Sequence, residues 1–223
     1  MRAFGETAFD IIYLVTVITL GILMIKKSKK HDELKNQCKL FGIMAVVLGC
    51  GDAFHLLPRA YALCTSGLEN YTAALGIGKM VTSITMTVFY VILYYVYQAR
   101  YKTSKTWLTV LVWILALSRI GLCFMPQNQW TSADAPLSWG IYRNIPFTLL
   151  GILIIVLFII GPAKNKDKNF RLLWLTIVLS FGFYIPVVLF ASAIPAIGML
   201  MIPKTCAYVW TVAIGYKTYK LPQ

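Results

Sequence analysis

The chain has 223 residues, 59% of them hydrophobic and 13% charged, with a mean hydropathy of +0.71; soluble domains carry about 25% charged residues. Such a composition excludes an ordinary soluble fold. Apolar residues recur in runs of about 20, the length that crosses a bilayer, which predicts an all-α integral membrane protein with seven transmembrane helices in a single bundle.

The first predicted span covers roughly residues 8–25. Acids rather than a basic region precede it and no small-residue cleavage site follows, so no cleavable signal is expected. The basic run Lys26-Lys27-Ser28-Lys29-Lys30-His31 comes next and should stay in the cytoplasm, leaving the N-terminus outside. The second span, roughly 40–63, contains Gly51-Asp52-Ala53-Phe54-His55-Leu56-Leu57-Pro58-Arg59. Residues 52, 55 and 59 share one helical face, and ionisable groups inside a span turn toward the protein interior.

A short outer loop with the sequon Asn70-Tyr71-Thr72 leads to the third span, roughly 73–98, which ends at Arg100, Lys102 and Lys105. The fourth span, roughly 107–125, and the fifth, roughly 138–160, flank an outer loop containing Trp130. Gly161-Pro162 then opens a basic loop with Lys164, Lys166, Lys168 and Arg171. The sixth span, roughly 172–192, turns at Ala193-Ile194-Pro195 into the seventh, roughly 196–216, before Lys217 and Lys220. The positive-inside rule therefore places the C-terminus in the cytoplasm, and a multi-pass protein of the plasma membrane is expected. The net charge of +13 mostly marks this orientation, so no nucleic-acid partner is implied. Cys38, Cys50, Cys64, Cys123 and Cys206 have no metal-ligand spacing and read as packing residues, with a Cys64–Cys123 disulfide left open.

Removing the cytoplasmic bases leaves Arg2, Arg59, Lys79, Arg119, Arg143 and Lys204. Counting about 1.5 Å per residue from the span ends puts the last five in the outer half of the membrane. Asp10, Asp52, His55, Asn144 and Tyr184 fall at the same depth. Ser83 shares a stripe with Lys79, and Tyr208 shares one with Lys204. Pro146, Pro186 and Pro203 are expected to free carbonyls around a cavity. These positions predict an outward-facing, net-positive pocket for a small anionic solute or lipid headgroup, lined by Arg59, Lys79, Ser83, Arg119, Arg143, Asn144, Tyr184, Lys204 and Tyr208. Membrane lipid is the other expected partner. The bland alternative is a structural lock in which Asp52 pairs with Lys79, Arg119 or Lys204.

Asp52 and His55 also permit acid–base chemistry on a lipid, with Ser83, Thr82 or a water as nucleophile. No metal or other cofactor is implied, since the chain has two histidines and His31 lies on the opposite side. The run from Gly51 to Arg59 resembles the membrane lysoplasmalogenase-type hydrolases over nine residues. In span count the chain is similar to the zinc-dependent ceramidase and progestin-receptor group, but Lys204 stands where that group needs histidines. Lys204, preceded by Phe183-Tyr184-Ile185-Pro186, resembles a microbial rhodopsin and implies a retinal pigment as a third reading, although the third span lacks an acid to serve as counterion. None of these stretches covers enough of the chain to name a family.

Overall fold

A computed structural model describes residues 2–28, 35–65, 67–191 and 193–219. It contains α1 (Arg2–Ser28), α2 (Lys35–Cys64), α3 (Thr72–Tyr101), α4 (Thr106–Phe124), α5 (Leu137–Lys164), α6 (Leu173–Phe190) and α7 (Met201–Thr218). Three 3-10 turns, Leu68–Tyr71, Pro126–Asn128 and Pro195–Leu200, lie in the connections. All seven helical spans are long and apolar enough to cross a membrane. Lys29, Lys30, His31, Ser192 and Lys220, which the span assignments used, lie outside the described residues.

Helix ends differ from the apolar limits because the backbone ladder continues into polar sequence. Thus α1 begins at Arg2, α2 begins at Lys35, and α5 runs through Pro162 to Lys164. The last helix starts later than its apolar run because residues 195–200 wind as a 3-10 turn. Pro203 consequently sits in the first turn of α7, where proline removes no internal bond. Only Pro146 and Pro186, of the three expected breaks, fall inside helices.

Consecutive helices are antiparallel neighbours, α7 closes onto α1, and α3 also packs on α5. The side-chain ties agree: Gln37 at the start of α2 donates to the Ala99 carbonyl near the end of α3, and Lys27 donates to the Tyr216 hydroxyl. A close crossing fixes α1 on α2. A Cβ on Gly21 would stand 2.9 Å from the Gly42 carbonyl oxygen, and one on Gly42 would stand 2.8 Å from the Gly21 oxygen. Small residues let helix backbones approach in this way. Phe89, Tyr90, Leu93 and Tyr94 of α3 are buried in an aromatic core that includes Phe147, Phe181 and Tyr208. Outward-facing residues are apolar, including Trp107, Ile114 and Leu117 on α4 and Ile145, Leu149 and Ile152 on α5. The five cysteines are free; Cys64 is exposed and Cys123 buried.

Candidate functional site

Every helix contributes at least one polar group to a cluster inside the bundle. Tyr13 on α1 donates its hydroxyl to Asp52 Oδ2 on α2 at 2.6 Å, with both side chains buried. Gly51, next to Asp52, allows α3 to come close: a Cβ there would collide with the Thr85 side chain, and the Thr82 hydroxyl donates to the Gly51 carbonyl at 3.1 Å.

Across the bundle, Arg119 on α4 is 1% exposed. Its Nη1 donates to Asn144 Oδ1 at 2.7 Å and to the Arg143 carbonyl at 2.8 Å, both on α5, while Nε reaches the Ser83 carbonyl on α3 at 3.4 Å. The guanidinium also lies 3.9 Å from the centre of the Phe147 ring. Asn144 Nδ2 donates one turn back to the Gly140 carbonyl, which leaves its oxygen facing Arg119 and the Tyr184 hydroxyl of α6, the latter at 3.0 Å. Tyr184 in turn meets α7: the Lys204 ammonium is 5.1 Å from its ring centre and 5.0 Å from that of Tyr208. Lys204 is 5% exposed, and its charge acts on the Asp52 carboxylate.

Other bases form a rim. Arg59 pairs with Glu6 through Nη2 and Oε1 at 2.6 Å. Arg143 donates to Asn128 Oδ1 at 2.8 Å and stacks 4.2 Å from the Trp130 ring centre. Lys79 is exposed, with the Arg59 and Arg143 charges for neighbours. The connection carrying Asn128 and Trp130 folds over α3, where a Cβ on Gly76 would collide with the Trp130 carbonyl.

The predicted residues therefore divide. Asp52, Arg119, Asn144, Tyr184, Lys204 and Tyr208 meet in the interior, Arg143 borders it, and Arg59 and Lys79 stand apart. Ser83 offers its carbonyl, because its hydroxyl donates back to Lys79 O at 2.8 Å. Asp52 orients Tyr13 rather than His55, whose Nδ1 is buried without a hydrogen-bond partner among the described residues. Nor does Asp52 form an ion pair with Lys79, Arg119 or Lys204. Tyr13, absent from the predicted site, follows Glu6 and Asp10 at spacings of four and three along α1, which places all three on one face.

A cavity of about 290 Å³ between α5 and α6 reaches Asn144 and Tyr184 and is otherwise walled by residues such as Ile145, Leu149, Ile185 and Val188. Compared with protein-family models, curated proteins and solved structures, the chain matches none of them.

Proposed function

We propose that this is a multi-pass membrane protein, with its N-terminus outside and its lysine-rich end in the cytoplasm, whose interior binds or transports a small anion or an anionic lipid headgroup. One observation carries the reading: Arg119 and Lys204 are buried, yet the groups touching them are neutral oxygens and ring faces. Removing a charge from water costs several kcal/mol unless an opposite charge offsets it. Besides the Glu6–Arg59 pair, the buried bases Arg119 and Lys204 and the bordering Arg143 form no salt bridge among the described residues, and Asp52 is the carboxylate on which Lys204 acts. An anion would balance the excess. The apolar cavity leading to Asn144 and Tyr184 suits lateral entry of a lipid.

Calorimetry on the protein in nanodiscs, with inorganic phosphate and sn-glycerol 3-phosphate as probes, tests the proposal. Wild-type binding is expected, weakened on the order of tenfold or more in Lys204→Met and in Arg143→Gln. Binding that persists unchanged in both folded variants overturns it.

A second reading, an intramembrane lipid hydrolase using Asp52 and His55, is favoured by the unpartnered His55 Nδ1. Product formation from mixed lipids, lost in His55→Ala, supports that activity; equal turnover in the variant removes His55 from it.

A further inference from the structure

At the lysine-rich end, away from the interior cluster, a cavity of about 640 Å³ opens between the start of α2 and the end of α3. Its mouth is polar and basic, formed by Asn36 and Lys39 on α2 and by Lys102, Thr103 and Ser104 after α3. The wall below is mostly apolar, with Gln98 as its polar member, whose Nε2 donates to the Tyr94 and Thr109 hydroxyls. Ile43 lies one turn beyond Lys39, about 6 Å along the helix, and Tyr95 lies seven residues before Lys102, about 10 Å along α3. The Tyr95 hydroxyl accepts from Trp113 Nε1 at 2.9 Å, so that group is already engaged. Lys102 sits in the left-handed region at φ 48°, and its backbone N–H bonds the Gln98 carbonyl, which fixes the turn presenting the lysine. Among the described residues, no carboxylate lines the cavity.

We propose that this groove binds one anionic phospholipid of the cytoplasmic leaflet, with the phosphate between Lys39 and Lys102 and an acyl chain along Leu40, Ile43 and Tyr95. The inference rests on the membrane orientation given above but not on the interior anion site. Charge complementarity selects the occupant: two lysines with no acid among the described lining residues favour an anion over a neutral lipid, and the graded, mostly apolar wall favours a lipid over a free ion. Basic pockets between membrane helices on the cytoplasmic side recognise such headgroups.

Native mass spectrometry of the full chain, delipidated and then offered equal phosphatidylglycerol and phosphatidylcholine, provides the test. Both lysines are exposed, so K39Q/K102Q leaves the core untouched. The wild type should retain phosphatidylglycerol in preference to phosphatidylcholine, and K39Q/K102Q should bind one phosphatidylglycerol fewer or on the order of tenfold more weakly. K164Q/K168Q, from the same basic end but outside the groove, should match the wild type. The loss caused by K39Q/K102Q should be the same with and without Lys204→Met, which separates failure here from failure of the interior site. Equal retention by K39Q/K102Q, an equal loss in K164Q/K168Q, or no preference for phosphatidylglycerol overturns the proposal. Displacement of the lipid by inorganic phosphate at matching concentration also overturns it, in favour of a free-ion site.

Discussion

Arg119 holds three helices together through a geometry that only a guanidinium supplies. Its nitrogens reach Asn144 Oδ1, the Arg143 carbonyl and the Ser83 carbonyl, while its flat face covers Phe147. Lysine keeps the charge but loses the planar fork. Arg119→Lys should therefore lower stability by about 1–3 kcal/mol, the cost of leaving buried acceptors unmet, and thermal unfolding in detergent measures it. The partner of Asp52 was not legible in the sequence for a related reason. Counting residues gives depth in the membrane, and Lys79, Arg119 and Lys204 all fall near the right depth. Helix order and rotation around the bundle decide among them, and these favour the hydroxyl of Tyr13 on the neighbouring helix.

At the scale of helices, the α1–α2 crossing and the α5–α6 connection do different work. Gly42→Leu would drive a side chain into the α1 backbone, where Gly21 leaves no space. Overpacking of this kind costs about 1–3 kcal/mol, visible as a fall in melting temperature. The α5–α6 connection is instead tied electrostatically. Arg100 Nε and Nη2 donate to Asp167 at 2.9 and 3.1 Å, the Tyr101 hydroxyl donates at 3.0 Å, and the Asn169 and Phe170 amides donate to the same carboxylate. Burial alone would raise the Asp167 pKa, but the Arg100 contacts and the Tyr101 hydroxyl outweigh it and hold it below 3.8. A depressed folded-state pKa stabilises the fold above the unfolded value, and this contribution disappears as pH falls through the folded value. Asp167→Asn should thus reduce stability at neutral pH and flatten its decline below about pH 4, as unfolding scans across pH would record. Seven apolar runs foretold seven helices, each long and apolar enough to cross a bilayer. Their ends were less legible, since helical hydrogen bonding continues beyond the apolar limit, as at Arg2, Lys35 and Lys164.

For the whole molecule, the proposed orientation predicts different access to its two ends. In cells carrying Cys64→Ser, a membrane-impermeant maleimide should label Ser132→Cys in intact cells and Asn165→Cys only after permeabilisation; the reverse pattern would invert the topology. Both positions lie in exposed connections at opposite ends of the bundle. The interior was legible as an assembly of charged and polar groups, but the way each is satisfied depends on the bundle's closure. That closure also bears on synthesis. Asp52 meets its hydroxyl donor from the helix made just before it, and Arg119 meets Asn144 on the helix made just after it. Lys204 emerges last. Each early charge thus acquires a neutral neighbour before Lys204 on α7 exists, so a chain stopped after Phe190 should still enter the bilayer. The final helix would then bring Lys204 into the field of Asp52 without being required to begin insertion.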